Sequence, residues 1–237
     1  MSRDALTHLE EALHAAPRSV ATLSNMCVAQ QLWDQLNNTA NTDVDEACYR
    51  AQALADAMAA AQPGDIAALQ TAARASLNLG RAAKRSNRMQ LAVEAFEKAI
   101  AAPPGAVSSG AASPDYRMVQ ADAAAGLGSL YFGQARRPDA TPTEAARLAR
   151  AAALKFRQAT KLAPHVPALG INLGRVVLEH HRRSPQGGSE SSRDRPPMAA
   201  MLLAEAIEAY DRAVVAHPQL ADPALRSALV RTQHAAR

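Results

Sequence analysis

The chain has 237 residues, 48% hydrophobic and 20% charged, with a formal net charge of +4 and a pI near 9.4. That balance excludes a chain disordered throughout and supports one or two domains with a buried core. Eight aromatic residues (three Phe, four Tyr, one Trp), 11 Gly and 14 Pro argue against a sandwich or barrel of aromatic strands joined by tight turns. The apolar residues are mostly Ala and Leu, so an all-α chain is expected.

Apolar periodicity punctuated by Pro and Gly predicts ten helices, over 3–16, 19–37, 43–62, 65–85, 88–102, 115–134, 142–162, 167–183, 197–216 and 221–235. The first is amphipathic and acidic and lacks the apolar run of a signal peptide, and no stretch reaches the roughly 20 apolar residues of a membrane span. The second holds Met26 and Trp33, read as core. Cys27 and Cys48 have no metal-ligand spacing, and two cysteines make no disulfide framework. Both are read as small packing residues in a reducing compartment, and a cytoplasmic location is expected, with organelle import after loss of a targeting segment left open. The polar, Gly-rich stretches near 105–114 and 184–197 read as loops. Met198, Met201 and Leu202 read as packing where the ninth helix starts, and 221–237 as a C-terminal cap.

A repeated pattern underlies these helices. A small residue, an apolar one four later, another three after that and Pro five further on recur in five copies. They are Ala5, Leu9, Ala12, Pro17; Ala51, Ala55, Met58, Pro63; Ala92, Phe96, Ala99, Pro104; Ala152, Phe156, Ala159, Pro164; and Ala206, Tyr210, Ala213, Pro218. Offsets of four and three share one helix face, and Pro ends the helix. Each copy therefore reads as the second helix of a hairpin. Four are preceded by an apolar-small pair, Met26-Cys27, Leu79-Gly80, Leu127-Gly128 or Leu173-Gly174. Gly costs about 1 kcal/mol relative to Ala inside a helix, so its recurrence suggests helices too close for a side chain.

Leu-Gly, then Ala-x3-Phe, then Pro resembles the tetratricopeptide repeat, a 34-residue helix-turn-helix unit. Twelve residues separate Gly80 from Ala92, twelve Ala92 from Pro104 and ten Pro164 from Gly174, which together give that period. Tyr131 matches the family's aromatic position. Ser76, Ala124 and Gly170 stand where the family carries Trp, and several connections are lengthened, by 12 residues between Cys27 and Ala51, 12 between Gly128 and Ala152 and 20 between Gly174 and Ala206. The resemblance implies a single right-handed all-α solenoid of helical hairpins over 1–237, with divergent repeats over 1–63, the clearest ones over 73–218 and capping helices at its ends.

In this family the first helix of each hairpin lines a concave groove. The expected groove residues are Arg74, Asn78, Arg81 and Arg85, at offsets that share about 60° of helix arc; Asn25 at the equivalent place; Ser129 beside Asp122, Gly126 and Gly133; Asn172 and Arg175 beside Ala168 and Glu179; and Arg226 beside Asp222, Leu229 and Gln233. Asn can donate to and accept from peptide amides, and Arg can fork a carboxylate; the bland alternative is an ordinary solvated helix face. A second cluster, Lys84, Arg85, Arg88, Arg136, Arg137, Arg182 and Arg183 with Arg193 and Arg195, lies at or beyond the ends of first helices and could form a basic edge facing phosphate or an acidic protein. Cations there also stabilise helix dipoles.

The expectation is therefore a non-catalytic adaptor that holds an extended or helical segment of a partner protein, preferably acidic or C-terminal. No cofactor or metal is expected: His180 and His181 diverge by about 100° of arc. The family's chaperone-tail clamp is disfavoured, because Ala125, Ser129 and Asp222 stand where Lys, Asn and Lys would be needed. The alternative is a structural subunit of a large, ribonucleoprotein-type assembly docking through the basic edge, with nucleic acid the less favoured partner because few aromatics are available for base stacking. The long connection from Tyr131 through Thr141-Pro142-Thr143-Glu144-Ala145 to Phe156 is also similar to an insertion in plant-type import receptors of this repeat class, the least favoured reading.

Overall fold

The computed structural model describes residues 3–16, 18–37, 44–101, 114–183 and 195–235. Ten α-helices run in chain order: α1 (Arg3–Ala15), α2 (Val20–Asn37), α3 (Val44–Ala61), α4 (Ile66–Arg85), α5 (Met89–Ile100), α6 (Pro114–Ala135), α7 (Pro142–Leu162), α8 (Pro167–Arg183), α9 (Arg195–Ala216) and α10 (Pro223–Ala235), with a 3-10 turn at Pro218–Leu220 before the last. Each differs from its predicted range by at most two residues at either end, and no strand occurs among the described residues. Of the two expected loops, near 105–114 and 184–197, residues 105–113 and 184–194 lie outside the described residues; Pro114 already opens α6 and Arg195 opens α9.

The chain divides into two compact units, Met1–Ala123 and Ala124–Arg237. In the first, α1 to α5 pack consecutively, and α2 also touches α4. The start of α6 joins this unit through Gln120 Nε2, which donates to the Ile100 carbonyl at 2.8 Å, and Tyr116 Oη, which donates to the Ala101 carbonyl at 3.2 Å. In the second, α7 to α10 pack consecutively, with further contacts of α7 on α9 and α8 on α10.

The repeated small-apolar-small pattern forms the core. Ala92, Phe96 and Ala99 are buried, as are Ala152, Phe156 and Ala159, and Ala206, Tyr210 and Ala213. The pattern weakens toward the N-terminus: Met58 is 47% exposed and Ala12 is also exposed. The recurrent glycines stand where helices touch. A Cβ on Gly80 would meet the Phe96 ring at 2.7 Å, and one on Gly128 the Phe156 ring at 2.9 Å. At Gly170 the obstacle is backbone, with the Ala209 carbonyl oxygen at 2.5 Å. A Trp there would have no room.

Local sequence sets the helix ends. Asp65 accepts from the Ala67 amide at 2.9 Å, Thr141 from the Glu144 amide at 3.3 Å with Pro142 at the first helical position, and Asp222 from the Leu225 amide at 3.0 Å. α4 ends in a Schellman turn: Asn87 takes φ 57°, its amide donates to the Lys84 carbonyl at 3.3 Å, and that of Arg88 to the Ala83 carbonyl at 2.8 Å. This tight closure suits the one hairpin without extra residues. Elsewhere much of the extra length is helix. α7 starts ten residues before Ala152 and α9 eleven before Ala206, whereas α5 starts only three before Ala92.

Three expectations are corrected. Cys27 and Cys48 are buried as expected, yet they form a disulfide with Cα atoms 5.0 Å apart, because α2 packs along α3 and brings together residues 21 apart in sequence. With both cysteines bonded, cysteine usage no longer argues for a reducing compartment. Met201 is 37% exposed, whereas Leu202 is fully buried; the side chain of Met198 lies outside the described residues. Leu229 is fully buried against Gly174, so the stripe drawn through Asp222, Arg226, Leu229 and Gln233 is not a solvated face: α10 turns Leu225 and Leu229 inward and uses Asp222 as its cap. No helix among the described residues is long and apolar enough to cross a membrane.

Candidate functional site

In the first unit, α2, α4 and the start of α6 enclose a pocket of about 300 Å³. Three of the four groove residues expected on α4, Arg74, Asn78 and Arg81, line it, together with Asn25 from α2 and Asp115 and Asp122 from α6. The repeat places them there: Asn25 and Asn78 each sit two residues before a small residue, Cys27 or Gly80, that faces the opposite way into the core. Val28, Leu77, Met118 and Val119 supply its apolar wall.

Asn78 is the most buried polar group in the pocket, at 7% exposed. Its backbone carbonyl accepts from Gln31 Nε2 at 3.1 Å. Its side-chain amide, in contrast, has no hydrogen-bond partner among the described residues. The amide stays open to the pocket's solvent, where a peptide donor-acceptor pair could take the place of water. Gln31 is itself buried, and the same Nε2 lies 3.2 Å from Cys27 Sγ and 3.7 Å from Cys48 Sγ. One side chain thus ties the disulfide of α2 and α3 to the backbone of α4 behind the pocket.

The charges in this pocket are unequally engaged. Arg81 pairs with Asp122 at 3.0 Å. Arg74 is exposed and Asp115 is exposed, and neither has a partner among the described residues. Asp115 lies in the first turn of α6, where a carboxylate is stabilised by the positive end of the helix dipole. Arg74 is the charge without compensation. Arg85, in the last turn of α4, does not line the pocket.

The other predicted groove residues fall in the second unit. Ser129 is half-buried on α6; Asn172 is half-buried and Arg175 exposed on α8. Arg226 is held by both carboxylate oxygens of Asp211, at 2.7 and 3.0 Å, which raises its pKa further.

The basic residues proposed for an edge are largely committed locally. Arg137 forks Asp139, Arg136 lies over the Phe132 ring at 5.7 Å, and Arg182 and Arg183 both bond Glu179. Burial raises the Glu179 carboxyl, but Arg183 and Arg182 together hold it below its ordinary range. Burial and then the neighbouring Arg85 push the Lys84 ammonium down. Arg88 is exposed beyond the end of α4. Arg193 lies outside the described residues, as does the side chain of Arg195.

Sequence reasoning named Asn25, Arg74, Asn78 and Arg81 but missed Gln31, Asp115 and the apolar wall. Gln31 carries no repeat signal; it is defined only by the packing of α2 on α3 and α4. Comparison with protein-family models finds none that matches this chain. Comparison with curated proteins likewise finds no match.

Proposed function

We propose that the chain is a tetratricopeptide-like solenoid of helical hairpins, a non-catalytic adaptor that holds an extended segment of a partner protein on the α2–α4–α6 face. Consecutive helix packing and the Gly80–Phe96 and Gly128–Phe156 contacts support the repeat assignment. The observation that carries the binding assignment is Asn78. A largely buried residue whose amide donor and acceptor stay open to a pocket shared with Asn25 and two arginines matches what a peptide backbone offers. A 300 Å³ pocket suits one or two residues of such a segment, not a large cofactor.

The test is titration of the purified chain with a fluorescein-labelled random dodecapeptide pool, read by anisotropy and by the fluorescence of Trp33, the sole tryptophan. Asn78→Ala should weaken binding about tenfold, the equivalent of about 1.4 kcal/mol for the lost amide pair, with an unchanged helical circular dichroism spectrum. Asn172→Ala, in the second unit, serves as the comparison. Equal affinity of wild type and Asn78→Ala would remove this face from consideration.

A further inference from the structure

We infer that the segment bound on this face carries an acidic side chain followed by large apolar ones, the carboxylate meeting Arg74 and the apolar groups lying on an exposed strip of α2. This rests on the peptide-binding assignment above and specifies its partner. The strip is made by Val28, Leu32 and Leu36, which are 37%, 41% and 68% exposed. Offsets of four place them, with Asn25, within about 80° of helix arc at roughly 100° per residue. Asn25 and Val28 also line the pocket, so the strip is a continuation of the site. Three large aliphatic side chains in one exposed row are unusual on a helix whose other face is buried, and such rows mark contact surfaces.

Charge decides the polar end of the occupant. Asp122 is consumed by Arg81, and Asp115 is compensated by the end of its own helix, which leaves Arg74 as the unmet charge at the pocket. An incoming carboxylate is favoured at Arg74 and an incoming ammonium is not. The apolar strip then explains how such a segment would be held when salt screens that contact.

The experiment uses an oriented dodecapeptide library with one fixed Glu and the other positions randomised, selected on wild-type chain, Arg74→Ala, Asn78→Ala and the double variant Leu32→Asp/Leu36→Asp. The expected result is enrichment of Leu, Ile, Phe or Met at positions on one side of the Glu. The double variant should lose that enrichment, with at least a tenfold drop in affinity, and Arg74→Ala should lose the preference for Glu over Gln. Leu36→Asp alone changes the most exposed of the three and provides a variant that folds if the double one does not. Binding that needs Asn78 but shows no apolar enrichment would overturn this inference and leave the peptide-binding assignment standing. Binding indifferent to Asn78 would overturn that assignment. A concentration-dependent dimer in sedimentation equilibrium, dissociated by Leu36→Asp, would give the strip to a second copy of this chain and also overturn the inference.

Discussion

The glycines of the second unit allow the packing to be tested one atom at a time. Replacing Gly by Ala in a helix interior gains about 0.8–1 kcal/mol of intrinsic propensity, and the structure says what the added methyl would meet. At Gly133 nothing lies within 4 Å, so the gain is kept, about 0.5–1 kcal/mol near the end of α6. At Gly174 the neighbour is a terminal methyl of Leu229 at 3.1 Å, which can shift by a few tenths of an ångström, and the net effect should be near zero. At Gly128 the Phe156 ring stands at 2.9 Å within the core, and the Ala152 carbonyl at 3.3 Å limits retreat on the other side. At Gly170 the Ala209 carbonyl oxygen is 2.5 Å away, and backbone of α9 cannot move without displacing the helix. Overpacking of this kind costs about 1–3 kcal/mol or more; taking the upper end and subtracting the propensity gain leaves Gly170→Ala destabilised by about 2 kcal/mol.

The expected order of stability is Gly133→Ala above wild type, Gly174→Ala beside it, Gly128→Ala below and Gly170→Ala lowest. Thermal unfolding followed at 222 nm reads it directly. For a chain of this size about 1 kcal/mol moves Tm by about 2–4 °C, so the extremes should differ by about 6–12 °C. The close approach of α8 and α9 would be refuted if Gly170→Ala melted with or above Gly133→Ala.

Three further outcomes follow from single contacts. Alkylation of the denatured, unreduced chain should find no free thiol, and reduction should cost about 3 kcal/mol, as expected for closure of a loop of this length; two alkylated cysteines without reductant would contradict the α2–α3 bridge. Asn87→Gly should be neutral or slightly stabilising and Asn87→Val should cost about 1–2 kcal/mol in urea unfolding, because a β-branched residue resists the positive φ of the α4 turn; equal midpoints would dispose of that cap. Arg157 donates to both oxygens of Glu205 and holds its carboxyl below the ordinary range, so folding gains stability above that range and loses it as pH falls through the depressed value. Glu205→Gln should cost about 1 kcal/mol at pH 7 and flatten the acid limb of a Tm-against-pH curve, and an unchanged limb would show that the pair contributes nothing.

The helices were legible because each carries the signals that physics requires: an Ala and Leu face at helical spacing, Pro or Gly at the ends, and Asp65, Thr141 or Asp222 at the caps. The glycine contacts were legible too, since a residue so unfavourable inside a helix needs a reason. The disulfide was not. Cys27 and Cys48 meet only after α2 and α3 lie side by side, and nothing in a separation of 21 residues announces it. The buried place of Leu229 was missed for a related reason. Equivalence between repeats assumes the same neighbours, and α10 packs on α8 and α9, where Leu229 meets Gly174. Gln31 and the Asn87 turn depend on a few local hydrogen bonds that leave no periodic trace.

What separates Asn78 and Arg74 from the paired arginines is availability. Arg137, Arg157, Arg182, Arg183, Arg212 and Arg226 each bond a carboxylate within their own unit. A ligand phosphate or carboxylate would have to displace that partner, so these residues release few counterions and add little to an encounter with an anion. Arg74 has no such competitor. Asn78 goes further, because its burial has already fixed the side chain. Immobilising an exposed side chain on binding costs about 0.5–1.5 kcal/mol, and here most of that cost falls on folding, through the packing of α4 and the Gln31 bond to the Asn78 carbonyl. A peptide amide entering the pocket would meet a donor and an acceptor that no other protein group engages. Total basic charge, spread over both units, makes the chain look like a polyanion binder; the charge and hydrogen-bonding capacity left over after folding point instead to the α2–α4–α6 face.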